Sequence, residues 1–496
     1  MSTSAPASHD HRRVARVVIE FTTSFHVGSG EGGYGADALV VADANGLPAI
    51  PGSSLAGALK STFISNSQAE EAADELFGYQ NKDEGHGSRL IISWAAIHNR
   101  KNQPVDGLLA ASEMDDDPVL LQALQLQIRD HVRLHHRGAA EDKFDEQPVA
   151  AGHRFTFEME LVDQKSDADW KALLACLSMN TFRLGGKTRR GYGAFKVIEI
   201  RQGEFNLNVP EQFKAYAGLP ASLSTPSNSL GSPLSPAQII NQSAVTITLQ
   251  VKPRGYWMFG GGEDTDQSNP ADMSPVRQGR VVWPDDKGKV EPNVLLIPGS
   301  AIKGAISHRL AFHYNRLAEP THFADNQATG CPNAAAGFEK ADDLFKNITG
   351  INNNGVKELF GFVTEDKSSA EMARQGKVII DDFLWNVASP NQQRIAHVSI
   401  DRFTGGALDS ALFTERPLWQ GNLPAITLVI LKADSVSKST RQALKATLDD
   451  LVEGRLALGA GAGRGLGYFE SKKNEPNPIQ CSAPAGNDWF NQGQKS

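Results

Sequence analysis

Residues 154–161 (RFTFEMEL) and 244–251 (AVTITLQV) alternate apolar and polar side chains at every second position. Period two puts one set of side chains on each face of a strand, so both segments are expected as half-buried antiparallel strands. Residues 54–63 (SLAGALKSTF) instead carry small and apolar residues at three-to-four spacing. That spacing predicts a helix, with Pro51 at its entrance and Ser53 or Ser54 as a hydroxyl cap. Nowhere do eighteen apolar residues run together, so no membrane span is expected.

The pattern then repeats. The segment 50–61 (IPGSSLAGALKS) recurs at 297–308 (IPGSAIKGAISH), and 75–79 (ELFGY) recurs at 358–362 (ELFGF). An apolar run follows each, 89–97 (RLIISWAAI) and 377–385 (KVIIDDFLW). Segments opening His-Val come next, at His131 and His397, and each half closes on a glycine loop, 184–195 (LGGKTRRGYGAF) and 458–469 (LGAGAGRGLGYF). Landmarks recurring in the same order describe a tandem duplication. Each half reads strand, glycine loop, hairpin, helix, strand, helix, strand, glycine loop, an order that suits an α+β, ferredoxin-like domain with a split βαβ core. The expected division is 1–215 for the first domain, a flexible Ser/Pro/Gly-rich linker at 216–240, the second domain at 241–480, and a disordered tail at 481–496.

A chain of 496 residues exceeds one ordinary core, in keeping with two domains. Cys176, Cys331 and Cys481 match no zinc spacing and suggest a reducing, cytoplasmic setting. The net charge of −8 argues against a nucleic-acid partner, although it does not exclude a local cationic groove. The acidic stretches at 70–75 and 113–117 are expected on solvated faces.

The glycine loops decide the chemistry. Gly186-Lys187-Thr188 has the ending of a phosphate-binding P-loop, but Thr181 stands where the first glycine belongs, and a strand-like segment follows. Gly28, Gly30 and Gly33 have dinucleotide-fingerprint spacing without the helix that such a site needs. Lys187, Arg189, Arg190 and Tyr192 instead gather cations and an aromatic around bare backbone amides, a set suited to an RNA backbone. The plain alternative is that the glycines only make turns.

Taken together, the IPGS helix starts, the LFG tripeptides, IDRFTGGA (400–407) and the terminal glycine loop resemble the RAMP superfamily of CRISPR-associated proteins, and most closely a fused double backbone subunit of a type III (III-D variant-like) effector complex. The resemblance implies two RNA-recognition-motif-like domains with inserted thumb hairpins. It implies a CRISPR guide RNA, a paired target RNA and other type III effector subunits as partners, and an endoribonuclease using Mg²⁺ (or Mn²⁺) to cut the target once per domain. Its catalytic, metal-holding aspartate falls on Asp37 in the first half and on Asp272 in the second, where Asp264 and Asp266 compete. Guide contacts fall on Ser53, Ser54 and Lys60, and on Ser300, Lys303 and Ser307, at helix N-termini whose free N–H groups favour phosphate. Asp401 and Arg402 match the thumb pattern, with Arg464 in the second glycine loop. The first thumb departs from the pattern, with Leu134-His135-His136 in place of Ile-Asp-Arg, and Arg133 and Arg137 as its cations. The alternatives are a non-catalytic RNA scaffold and a guide-processing ribonuclease using His135.

Overall fold

In the computed structural model, the described residues are 10–30, 39–66, 70–81, 84–134, 140–163, 167–262, 264, 266–318, 348–363, 373–386, 391–419, 421, 423–472, 477–483 and 489–491. The two alternating segments both form strands, Arg154–Asp163 and Val245–Leu249. In the first half, the opening strand His11–Phe21 lies between Arg154–Asp163 and Phe195–Asn206, and Leu90–Ile92 closes the far edge. All of these pairings are antiparallel. In the second half, Val245–Leu249 lies between Ile426–Ile430 and Ile479–Ser482, with Val378–Ile379 at the edge. The strand order is therefore the same in both halves.

Helices cover one face of each sheet. Gly52–Ser65 and Asp167–Leu177 pack in the first half, Gly299–Ala318 and Lys438–Val452 in the second. Each half has its own apolar core, one containing Val17, Leu55 and Phe157, the other Ile247, Ile302 and Leu428. Gly52 and Gly299 open the leading helices hard against the carbonyls of Ile92 and Ile380, where a Cβ would clash. The expected hydroxyl cap is absent: Pro51 is the cap residue, no side chain caps the helix, and Ser53 and Ser54 lie within its first turn.

The closing strand differs between halves. Phe195–Asn206 runs unbroken for 12 residues beside His11–Phe21, with one bulge at Val18/Ile19. In the second half the same place is shared by Tyr468–Ser471, paired with Val251–Pro253, and Ile479–Ser482, paired with Val245–Leu249. Within the segment expected as a disordered tail, Cys481 and Ser482 instead pair in this sheet, and Trp489 and Phe490 pack on the core. Trp489 is 1% exposed and joins the second core with Phe490, taking two large aromatic rings out of water.

The connection between the halves is likewise no slack tether. Arg16 donates to the carbonyls of Thr225 and Pro220 at 2.6 and 2.5 Å, Leu234 pairs with Ile200, and Leu230 packs on Val14 and Phe205. This segment covers the back of the first sheet, which is why the opening strand is buried on both faces from Arg13 to Val17. Asp117, expected on a solvated face, is buried and caps the helix Pro118–Leu124.

A hairpin of the second half, Arg277–Val282 with Lys289–Ile297, reaches back onto the first. Val281 N–H donates to the Ala151 carbonyl at 2.9 Å, and the Trp283 indole donates to Gly152 at 2.7 Å. No helix among the described residues is long and apolar enough to cross a membrane.

Candidate nucleic-acid interface

The first glycine loop feeds the strand Phe195–Asn206 and not a helix, so it lacks the architecture of a P-loop. It docks on the leading helix of the second half. Gly191, at φ +105°, faces Asp382 so closely that a Cβ would strike its carboxylate. Asp382 is buried, takes the Gly299 N–H at 2.8 Å, and is paired with Arg129 of the first half. Arg129 also donates to Gln278 at 2.6 Å. A carboxylate thus already sits at the positive end of this helix.

Around that pair the cations crowd together. Lys303 Nζ donates to the Arg189 carbonyl at 3.1 Å, and Arg189 Nε donates to the Gly376 carbonyl at 2.8 Å. Burial, with Arg190 and Arg189 close by, pulls the Lys303 ammonium down to about 8. Burial and neighbouring Arg183 lower Arg189 to about 10, against the pull of Asp381. Cations held this close destabilise one another, and an anion placed among them would relieve the repulsion. Ser300 and Ser307 lie half-buried on the same helix.

Other expected contacts are placed differently. Tyr192 is 1% exposed beneath the Arg129 guanidinium, 4.8 Å from its ring centre, and Leu466 fills the matching buried position in the second loop. Its ring has no open face for a base while the halves are joined. Lys60 turns away from the helix start to Asp74 at 2.7 Å and the Gly78 carbonyl at 3.2 Å. Ser53 is exposed and Ser54 half-buried. Arg133 lies on the strand Arg129–Leu134, whereas Arg137, His135 and His136 fall outside the described residues.

A cluster that the sequence reading missed is built twice. Hairpins Arg129–Leu134/Ala140–Glu146 and Ile395–His397/Phe413–Glu415 place His131 opposite Phe144 and His397 opposite Phe413. Each histidine stacks on its phenylalanine, with centroids 5.1 and 4.9 Å apart. Each also meets a buried glutamate: His131 lies 3.5 Å from Glu146, and His397 2.8 Å from Glu415. An arginine of the glycine loop lies 5.2 Å from each phenylalanine ring, Arg190 in one half and Arg464 in the other. Lys187 pairs with Glu146 at 2.6 Å and Arg464 with Glu415 at 2.7 Å. Burial disfavours the Glu146 carboxylate, but hydrogen bonds from His131 and Lys187 outweigh it and hold the group at about 2. Glu415 is lowered in the same way by Arg464 and His397. The signal was present in the sequence: the two glutamates recur as FDEQP and FTERP, each ahead of a sheet strand.

Beyond the second hairpin, Asp401 takes the Phe403 N–H at 2.7 Å and shapes an exposed turn that carries Arg402 and a fully exposed Phe403. Of the two candidate catalytic aspartates, Asp37 falls outside the described residues. Asp272 is exposed at a hollow of about 510 Å³ also lined by Gly261, Gly262 and Asp264. Its Oδ2 accepts from Thr414 N–H at 2.7 Å and Thr414 Oγ1 at 2.9 Å, and these bonds hold the carboxyl below its usual range. Its rivals are engaged elsewhere: Arg416 binds Asp264 at 2.7 Å and Asp266 at 3.2 Å. One ionised, exposed carboxylate suits Mg²⁺, which keeps several waters and takes further oxygens from a phosphate. Among the described residues, no group of three or more His, Cys, Asp and Glu side chains could hold a metal by itself.

The chain is thus a pair of repeated α+β halves joined through glycine loop and helix, and a family match extends over both. The RAMP superfamily model matches residues 18–196 and 259–470, and the chain belongs to that superfamily. The two matches start within or just beyond each half's opening strands and stop at the strand after each glycine loop. A search of curated proteins gave no match.

Proposed function

We propose that the chain is a fused, two-domain backbone subunit of a type III CRISPR effector complex, gripping guide RNA and supporting Mg²⁺-dependent cuts in the paired target at Asp37 and Asp272. The shared strand order, with the opening strand between the third and fourth and the second at the edge, supports a ferredoxin-like core in each half. The two hairpins, set at the same register beside each glycine loop, support the thumb reading. The observation that carries RNA binding is the crowding of Lys303, Arg189 and Arg190 at the head of the second leading helix, where Lys303 is brought to about 8. A guide phosphate there would restore the charge balance that the fold leaves uneven.

Asp272 supports the cleavage reading because Thr414, on the hairpin, orients and ionises it. A bound Mg²⁺ would polarise the scissile phosphate and lower the barrier to in-line attack by the ribose 2′-hydroxyl. Asp272 itself would hold the metal side of that arrangement, and the hairpin would hold Asp272. The test is a reconstituted complex carrying Asp37→Ala and Asp272→Ala, singly and together, on guide-complementary RNA with Mg²⁺. Each substitution is expected to remove one discrete product while target binding persists. An unchanged product ladder would leave the chain a scaffold.

A further inference from the structure

Where the hairpin Arg277–Val282/Lys289–Ile297 reaches back onto the first half, the two surfaces do not close completely. A cavity of about 270 Å³ remains between them, partly open to solvent. Leu121, Gln122 and Gln127 line it from the first half, and Gln278, Val290 and Pro292 from the second. That size lies just under the range of about 300–1,000 Å³ that holds drug-sized ligands, and it suits a single ring system. None of the described lining residues is charged, so the cavity has no counter-charge for a phosphate or a metal ion.

Its polar side chains are carboxamides with hydrogen-bonding capacity left over. Gln122 Oε1 is buried and has no hydrogen-bond partner among the described residues. An acceptor left so costs about 1–3 kcal/mol unless something in the cavity donates to it. Gln278, itself buried, accepts from Arg129 at 2.6 Å and from Ser24 at 3.0 Å through Oε1. Gln127 Oε1 accepts the Gly279 N–H at 3.2 Å. Among the described residues, the NH₂ groups of Gln127 and Gln278 donate to no protein atom. Gly279 keeps the wall in this form, since a Cβ there would strike Gln122 Nε2. One acceptor with amide donors around it is the complement of a neutral imide edge, carbonyl, N–H, carbonyl. Uracil has that edge. Cytosine has no proton on the ring nitrogen there, and guanine lacks the second carbonyl. Pro118, Pro148 and Pro292 supply apolar surface for the ring faces.

We propose that this cavity binds a uracil ring, whose N3–H donates to Gln122 Oε1 while its carbonyl oxygens accept from the Gln127 and Gln278 amides. Because the ring would touch both halves, its binding also ties the hairpin to the first half. A free nucleoside and an unpaired uridine of an RNA chain present the same edge, and the experiment separates them. The site does not involve Asp37 or Asp272, and its test is read without cleavage.

The experiment is isothermal titration calorimetry of the full-length protein, freed of nucleic acid, with uridine, cytidine and 3-methyluridine. Uridine is expected to bind with a Kd below about 1 mM. Cytidine and 3-methyluridine, which lack the N3 proton, should each bind at least about fivefold more weakly, the effect of one lost hydrogen bond. Gln122→Leu, with a urea unfolding curve confirming its fold, should weaken uridine by a similar factor. The 3-methyluridine arm tests the same bond in the unaltered protein. Displacement of uridine by oligo(U) and not by oligo(C) assigns the ring to an RNA chain. Uridine binding that neither oligonucleotide displaces assigns it to a free nucleoside. No uridine binding up to about 5 mM overturns the proposal. So does 3-methyluridine binding as tightly as uridine, or a folded Gln122→Leu variant that binds uridine as wild type does.

Discussion

At 184–195 the glycine loop is enclosed: Gly191 and Tyr192 are buried against the second half, and Arg189 is tied to a carbonyl across the joint. At 458–469 the same loop is open, with residues 462–465 exposed and Arg464 reaching back to Glu415. The inner side is the same in both. Gly193 N–H bonds the Ser24 carbonyl, and Gly467 N–H bonds that of Tyr256, at 2.9 and 2.8 Å. The histidine–glutamate–phenylalanine cluster is also shared. The outer side differs: one loop carries Lys187, Arg189 and Tyr192 where the other carries Gly461, Gly463 and Leu466. The extra cations thus lie in the loop that meets the other half, and are missing from the loop that is open.

The largest effect should come from breaking the enclosed joint. Asp382→Ala leaves Arg129 buried without its carboxylate and is expected to cost about 3–5 kcal/mol of stability in urea unfolding. Arg129→Leu with Asp382→Leu should recover most of that loss. If the double variant is as unstable as the single one, the joint depends on its charges and not on apolar packing alone.

Acid should separate the halves next. His98 and His153 are buried in the first half, and burial lowers both to about 4. The unfolded chain takes up these protons below about 6.5, so stability falls as the pH drops from there to about 4. Glu146 in the first half and Asp450 in the second, both held at about 2, add a further loss from about 4.5 downward. Hydrogen exchange at pH 5 should thus show the first half opening before the second. Equal opening would show that the joint makes them one cooperative unit.

The smallest effect concerns the added cations. Lys303→Ala should weaken RNA binding about uniformly across sequences and reduce the salt slope by about 1. Tyr192→Leu, which copies the second loop, should leave RNA affinity within about twofold if the ring serves packing alone. Filter binding at several salt concentrations measures both. A larger loss for Tyr192→Leu than for Lys303→Ala would restore the ring as a base-stacking group.

Much of the plan was legible in the sequence because it was written twice. Period-two strands, the Pro-Gly helix starts and the order of landmarks depend on local spacing, and spacing survives without tertiary contacts. The linker and tail were misread for the opposite reason. Their composition is that of solvated chain, yet Leu230, Trp489 and Phe490 are few enough to escape a pattern and large enough to anchor a segment. Glu146 and Glu415 escaped because a glutamate in a polar loop looks solvated until the fold brings a histidine and a cation to it.

The sequence by itself determined two similar α+β halves, their boundaries of pattern, and the gathering of glycine with cations at 184–195. Only the tertiary structure decided that Tyr192 lies inside a joint, that Lys303 and Arg189 from different halves share one crowded site, and that Asp264 and Asp266 are paired with Arg416 while Asp272 is held by Thr414. Those outcomes depend on which distant groups meet and what burial does to their charge, and a one-dimensional pattern carries neither distance nor dielectric.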